Sequence, residues 1–449
     1  MLLARPEAVR EQIVEASRHQ FAEGDVLHWW QPFSGRGVRT HISDDRHWLP
    51  LVVAEYISAT GDRSVLDELT AFIEGPVLPI EVEDAYVQPA TSEQAVTVYE
   101  HCIRALKAGR PVGEHGLPLM GGGDWNDGMN RVGHEGTGES IWLAWFLIYV
   151  LGKFVPIVES RGDTELAEDF RAWAERLRVA VEENGWDGAW YRRAYFDDGT
   201  PLGTHTASEA RIDAIAQAWA TISGAADPER AATALESVEE KLVRREDRLI
   251  ALLAPPFDRM PQDPGYIKGY VPGVRENGGQ YTHGALWVVL ANLMRGDGDN
   301  GAALLSLLNP ISHALNVGDV HRYAVEPYVV AADVYAAAPH TGRGGWTWYT
   351  GSASWFYRVA VHWMLGLRVV AEGSERFLLI DPCIPKRWPG FTMTYRHRAT
   401  TYRIRVENPR GVNRGVAHMT LDGTIVSGAS VRLLDDDRDH EVVVTMLGG

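Results

Sequence analysis

The chain has 449 residues, 45% hydrophobic and 23% charged, which is the balance of a globular protein with room for one large domain and a smaller one. A formal net charge of −17 argues against a basic face for nucleic acid or an anionic membrane, although a few gathered cations suffice to hold an anionic substrate. The two cysteines, Cys102 and Cys383, lie far apart in unlike contexts and read as buried thiols in a reducing compartment, not as a disulfide or zinc framework.

The first stretch, MLLARPEAVREQIVEA, meets charge at Arg5 and Glu7 and lacks the apolar core of a signal peptide, so a cytoplasmic location is expected. Apolar residues then recur at three- and four-residue spacing through PEAVREQIVEASRHQF, DDRHWLPLVVAEYISATG, SEQAVTVYEHCIRALKAG, GESIWLAWFLIYVLGKFV, TELAEDFRAWAERLRVAVEE, SEARIDAIAQAWATISGA, PERAATALESVEEKLV, THGALWVVLANLM and GSASWFYRVAVHWMLGL, which predicts helices. The most apolar of them, from Ile141, is interrupted by Lys153 and Pro156 and bracketed by Glu139 and Glu159. It reads as a core helix and not as a membrane insertion. Polar loops rich in glycine and aromatics precede the helices expected near Asp45, Ser92, Gly138, Ser208, Tyr281 and Gly351. Six such loops, mostly separated by plain amphipathic helices, predict six inner and six outer helices in a closed toroid, with the loops over a central pocket at one end. An open solenoid would fit the helices without gathering the loops. After Gly373 the pattern turns to alternation, and about six strands are expected between Gly, Asn and Asp turns. The fold class is therefore mainly α: a helical toroid over 1–373, then a small antiparallel β-sandwich over 374–449.

Sixteen Trp and sixteen Tyr are an unusual share, and many indoles sit in loops beside Gly, Asn, Asp and Thr. Such indoles make platforms for pyranose rings, which offer an apolar C–H face and a rim of hydroxyls. The densest loop is GGGDWNDGMN, 121–130. Asp127 stands near Trp125, and a carboxyl partly withdrawn from water can keep its proton near neutrality and act as a general acid. Asp124 and Asn126 would fix the loop or meet sugar hydroxyls. A helix-capping turn or a calcium loop are the bland alternatives, the second weak because the rest of an EF-hand is missing. In GRGVRTHISDD, 35–45, Arg36 and Arg39 offer forks for phosphate or carboxylate, against a plain reading as solvated arginines beside a cap. GVRENGGQYTH, 273–283, supplies Arg275, Glu276, Asn277, Gln280 and His283. GRGGWTWYTGS, 342–352, places Thr350 and Gly351 at an expected helix N-terminus, where free N–H groups and the helix dipole receive anions. No P-loop, nucleophile-elbow or zinc motif appears in the right context. An inverting glycosidase needs an acid and a base carboxylate. An inverting phosphorylase needs the acid and a cradle for phosphate, and this distribution of residues favours the second.

GGGDWNDGMNRVG…GTGESIWLAWF, RIDAIAQAWATISGA, DPGYIKGYVPGVRENGGQYTH, EPYVVAADVY and GRGGWTWYTGSASW resemble the catalytic region of glycoside hydrolase family 94, over about Trp29 to Pro409. The wording is most similar to the C-terminal phosphorylase-like region of cyclic β-1,2-glucan synthases and to 1,2-β-oligoglucan phosphorylases. The resemblance implies an (α/α)6 barrel followed by a β-sandwich. It implies Asp127 as general acid, Trp125, Arg39, Asp45 and Glu276 around the sugar, and Arg36, His283, Thr350 and Gly351 around phosphate. It implies inverting phosphorolysis of a β-gluco-oligosaccharide, expected to be β-1,2-linked, to α-glucose 1-phosphate, with no metal or organic cofactor and inorganic phosphate as co-substrate. Other readings on the same scaffold are an inverting hydrolase, with Glu276 or Glu326 as base, and a non-catalytic or length-setting glycan-binding module. The family's N-terminal β-sandwich is absent from this chain, which points to a homodimer or to a missing N-terminal domain or subunit as partner. Ser354, Thr137 and Ala324 stand where the family pattern leads one to expect Gly, a basic residue and Lys.

Overall fold

A computed structural model describes residues 2–348 and 350–447, including the backbone but not the side chain of Thr350. Among these residues the α-helices are α1 Pro6–Ser17, α2 Trp48–Thr60, α3 Val98–Ala108, α4 Ile141–Ser160, α5 Thr164–Asn184, α6 Ala214–Ser223, α7 Pro228–Lys241, α8 Thr282–Met294, α9 Gly298–Leu308, α10 Val317–Tyr323 and α11 Thr350–Tyr357, which runs on as a π-helical segment, Arg358–Met364. The helices called from periodicity are present, and polar side chains cap their starts: Thr97 for α3, Ser140 for α4, Asp213 for α6 and Asp227 for α7 accept hydrogen bonds from first-turn N–H groups.

Two kinds of helix alternate. α2, α4, α6 and α8 carry apolar residues nearly all round, whereas α3, α5 and α7 keep a polar face. The apolar ones pack in the order α2, α4, α6, α8 and α11, and the others lie outside against them. Arg358, just past α11, pairs with Glu55 of α2 at 3.1 Å, so the last member of the series returns to the first. Three indoles explain why the inner helices need no polar side. Trp142 of α4, Trp219 of α6 and Trp287 of α8 meet with centroids 5.2 to 6.1 Å apart, one pair stacked and two pairs edge-on. Each such aromatic pair adds about 0.5–1.5 kcal/mol beyond the area it buries. α4 is long and apolar enough to cross a membrane by composition, but 78% of its most apolar window is buried against these neighbours.

One expected inner helix is corrected. The segment from Ser92 begins as a strand, Ala90–Thr97, paired with Leu69–Glu74, and the helix that follows, α3, is amphipathic and lies outside against α2. Five members of the inner series, not six, are found among the described residues: α2, α4, α6, α8 and α11. The C-terminal region holds two sheets. Gly390–His397, Thr400–Glu407, Asp439–Met446, Val416–Leu421 and Thr424–Val426 form one in that order, and Leu367–Glu372, Glu375–Ile380 and Ser430–Arg432 the other. Their buried residues join the same apolar cluster as the helices. The expectation of an antiparallel arrangement throughout is corrected too: Thr400–Glu407 and Asp439–Met446 run parallel, the three strands Val416–Leu421, Thr424–Val426 and Ser430–Arg432 lying between them in the chain. The first strand of this region starts at Leu367, ahead of Gly373.

Candidate active site

The loops before α2, α4, α8 and α11 meet one another. Gly121 has φ of +60°, and a Cβ there would fall 2.3 Å from the His41 carbonyl oxygen, so only glycine lets the 121–123 run press on the segment before α2. Ser43 fixes the contact, its N–H and Oγ donating to Gly123 O at 2.9 and 3.1 Å.

Beyond this run the two aspartates part ways. Asp124 is fully buried and accepts from Arg193 through both oxygens, at 2.5 and 2.6 Å, and from Ser140 Oγ at 2.6 Å. Arg193 Nε also faces Asp213 at 3.4 Å, where burial pushes the Asp213 carboxyl up to about 6 against the pull of the guanidinium. Since Ser140 and Asp213 cap α4 and α6, this buried network bolts the loop to two inner helices. Asp124 is therefore a structural residue. Asn126 donates its N–H to Asp124 Oδ1 at 3.0 Å, and its buried amide has no partner among the described residues.

Asp127 opens a single 3-10 turn, Asp127–Met129, with its side chain 41% exposed. His28 Nε2 lies 3.9 Å from Asp127 Oδ2, and the other ring nitrogen lies 2.9 Å from Asp45 Oδ2. His28 thus bridges the expected acid and the expected sugar ligand. The Asp45 hydrogen bond raises the His28 pKa above 6.5, with burial opposing it. Tyr266 hydrogen-bonds Asp127 from another side, its phenol made less acidic first by burial and then by the Asp127 charge. Glu276 is 6% exposed and ion-paired with Arg275 at 3.2 Å. Burial raises its pKa, Arg275 lowers it, and Asp127 is near enough to raise it further.

The raised His28 value has a testable consequence. A histidine whose folded pKa exceeds its unfolded value adds stability below about 6.5, and that contribution is lost as pH rises through the folded value. Urea unfolding of the native chain and of His28→Gln should therefore differ most near pH 6 and converge by about pH 8. A gap that widens with pH would contradict the His28–Asp45 pairing.

Trp125 packs into an aromatic cluster. Its indole Nε1 donates to His283 Nδ1 at 3.3 Å, and its ring meets Tyr281 and Trp287 edge-on or tilted at 5.5 and 5.0 Å. Burial pulls the His283 pKa down to about 3, so the ring is neutral. With Nδ1 accepting from Trp125, the ring proton sits on Nε2, which is buried and has no partner among the described residues. A Cβ on Gly351, in the first turn of α11, would stand 3.6 Å from His283 Nδ1. The first turn of α11 therefore lies on the Nδ1 side of the ring, and its free N–H groups are the feature there that suits an anion.

Two expectations fare differently here. Arg39, expected at the sugar, points the other way. Its strand, Gly37–Thr40, buries Gly37 and Arg39 on one face, and the guanidinium donates to Asp25 at 2.6 and 2.8 Å, to Glu23 at 3.2 Å and to the carbonyls of Gly75 and Pro76 while lying 3.7 Å over the Phe21 ring. Its donors are spent on the fold. Arg36 lies exposed on the rim, donating to Gln88 at 3.0 Å, and is not brought against His283 or Gly351 by these contacts. The Thr350 hydroxyl falls outside the described side chains. Sequence reasoning missed His28 and Tyr266. Nothing in LHWW marks its histidine as special, and Tyr266 carries one faint signal: it follows Gly265, whose φ is +115° and whose place leaves the Tyr266 N–H bonded to Asn130 Oδ1 at 2.9 Å.

The profile of the glycosyl hydrolase 94 superfamily catalytic domain matches residues 1–366. The chain belongs to this family. Glycosyl hydrolase 94 relatives include the cyclic beta-(1,2)-glucan synthase NdvB of Rhizobium meliloti (strain 1021), 49% identical over 95% of this chain but only 15% of that protein. They also include the solabiose phosphorylase of Paenibacillus borealis, 32% identical over 98% of this chain and 54% of that enzyme. The chain thus spans about half the length of this phosphorylase relative and a much smaller part of the synthase. Among solved structures, a sialidase shares 12% identity and a TM-score of 0.50 over 79% of this chain and 29% of its own, a likeness of fold alone.

Proposed function

We propose that this glycosyl hydrolase 94 domain carries out inverting phosphorolysis of a β-linked gluco-oligosaccharide, releasing α-glucose 1-phosphate. The observation that carries the reading is that the loop bearing the open Asp127 carboxyl group reaches, through Trp125 and its hydrogen bond to His283, the α11 N-terminus around Gly351. Asp127 protonates the glycosidic oxygen as the bond breaks. Phosphate held at His283 and Gly351 attacks the anomeric carbon from the opposite face, which inverts it. Trp125 forms part of the wall between them, and Asp45 and Glu276 meet sugar hydroxyls. The alternation of inner and outer helices and the two C-terminal sheets support the (α/α)6 barrel with its β-sandwich, of which five inner helices are found among the described residues. The preference for β-1,2 linkages rests on the 49% identity to a protein named for β-(1,2)-glucan.

A hydrolase on the same scaffold needs an ionised base to activate water. Glu276 could serve as that base, but burial and the Asp127 charge favour its neutral form, and its ionised form is tied to Arg275. Glu326 is exposed at the surface. Phosphate needs no such base, and this favours the phosphorylase.

The test is release of sugar from β-1,2-gluco-oligosaccharides by the 449-residue chain with and without phosphate. Glucose 1-phosphate formed only with phosphate supports the proposal; free glucose formed without it overturns the proposal in favour of the hydrolase. Sugar binding without any product would leave a glycan-binding module. A finer check lies at Gly351. Its φ is not left-handed and an added Cβ meets only ordinary contact, so Gly351→Ala should fold normally while raising the KM for phosphate about tenfold, the equivalent of ~1.4 kcal/mol of lost binding. An unchanged phosphate KM would place the anion elsewhere.

A further inference from the structure

An aromatic pair stands open near the Asp127 loop and takes no part in the proposed chemistry. Leu27–Trp30, Gly37–Thr40 and Asp84–Val87 form a three-stranded antiparallel sheet in that order. One face of it is closed: Leu27 packs with Phe21 and Ile73, Trp30 and Val87 join them, and Arg39 lies there over Phe21. The pleat sends alternate residues to the opposite face. There Trp29, Val38 and Tyr86 fall in register across the three strands.

The two rings lean together without burying each other. Their centroids are 5.9 Å apart and their planes are tilted by 35°, yet Trp29 is 46% and Tyr86 51% exposed. Single exposed apolar residues are ordinary on a protein surface. Two aromatics meeting over a valine from the two edge strands make a continuous strip instead. Neighbouring strands lie about 4.8 Å apart, so the strip crosses a baseline of about 10 Å, enough for a disaccharide unit to lie along it. Asp84, exposed and on the same face as Tyr86, brings a carboxylate that accepts from hydroxyls.

The position of the strip points to its occupant. The register slips by one between Leu27 and Trp29, so His28 is the extra residue of a bulge, a device that re-aims a side chain. Its Nε2 lies 3.9 Å from Asp127 Oδ2. On the other edge Glu83, just ahead of Asp84–Val87, accepts from Asn130 Nδ2 in the Asp127 loop. Both edge strands run antiparallel to the one between them, so these two contacts lie at the same end of the sheet. That end abuts the Asp127 loop, and the strip begins with the residue after His28. An indole and a phenol beside a carboxylate suit a ring with a C–H face and a rim of hydroxyls. An apolar partner would leave Asp84 desolvated and unpaired.

We infer that Trp29 and Tyr86 form an outlying saccharide subsite, holding glucose residues beyond the bond that Asp127 protonates, so that the chain prefers oligosaccharides to the disaccharide. The place of this subsite along the substrate rests on the proposed role of Asp127.

The experiment compares sophorose, the β-1,2-linked glucose disaccharide, with the β-1,2-linked tetrasaccharide. Binding is measured by calorimetry without phosphate on the Asp127→Asn chain, so that neither sugar is consumed. The tetrasaccharide is expected to bind about tenfold more tightly. Trp29→Ala and Tyr86→Ala, with folding checked by circular dichroism, should each bring that ratio close to one. Trp29→Phe and Tyr86→Phe keep a ring and should preserve most of it. A ratio of one in the parent chain, a ratio that both alanine variants leave unchanged, or binding of neither sugar overturns the inference. Glucose 1-phosphate release is followed in parallel on the chain that retains Asp127. Release together with a ratio insensitive to both alanines keeps the phosphorolysis and removes the subsite. A ratio that depends on Trp29 and Tyr86, without release, keeps the subsite and removes the phosphorolysis.

Discussion

Asp127→Asn should lower glucose 1-phosphate release from β-1,2-gluco-oligosaccharides by roughly 10²–10⁴-fold, the usual contribution of a positioned general acid. The amide keeps the shape of the carboxyl group and, like it, can accept from the Tyr266 hydroxyl, so the fold and sugar affinity should change little. The leaving group provides the sharper check. A glucosyl oligosaccharide leaves as a poor alkoxide and needs the proton. An aryl β-glucoside with a strongly acidic phenol does not, so it should react in the Asp127→Asn chain at a rate close to that of the native chain. Equal losses on both substrates would mean that Asp127 binds or positions the sugar and transfers no proton. Loss confined to the alkyl glucoside identifies the proton donor. Initial rates at saturating phosphate suffice for the comparison.

Arg193→Met carries the largest expected effect on stability. It strands the buried charge of Asp124 and removes the partner of Asp213, and breaking a buried ion pair from one side costs about 3–5 kcal/mol. Urea midpoints at pH 7 should fall accordingly with little change in slope. Arg193→Lys should recover only part of the loss, since an ammonium cannot serve both oxygens of Asp124 while also facing Asp213. Lowering the pH towards 5 should narrow the gap between Met variant and native chain. Asp213 is pushed up to about 6 even with Arg193 pulling it down; without that guanidinium it takes its proton at a higher pH, so as the pH falls the variant gains stability from proton uptake before the native chain does. A loss under 1 kcal/mol would show that the loop is held chiefly by its glycines and by Ser43.

The helical half of the fold was legible because its signal is local. Three-and-four spacing and N-cap residues reveal themselves within a dozen positions, and the helices stand where they point. Ala90–Thr97 was misread because a strand there is decided by Leu69–Glu74, a partner twenty residues away. The parallel pair near the C-terminus was hidden for the same reason. In the site, the sequence placed Asp124 and Asp127 side by side as candidates, and burial separated them: one is enclosed by Arg193 and Ser140, the other opens towards His28 and Tyr266. Arg39 could not be told from Arg36 until the strand register showed which of the two faces inward. His28 and Tyr266 lie far from Asp127 in the chain, and a single sequence carries no mark of such neighbours.

The closure of the helical series has a bearing on how the chain acquires its form. Neighbouring helices such as α4 and α5 are close in the chain, so their docking involves short loops and little lost entropy. The Glu55–Arg358 pair joins residues 303 positions apart, and Tyr395 reaches the Leu3 carbonyl across 392. During synthesis the first helices leave the ribosome long before the segment that seals them, and their apolar flanks stay uncovered until it arrives. Helices that are apolar nearly all round, useful for enclosing a pocket, make that interval hazardous, and the contacts made last are those between residues some three hundred positions or more apart.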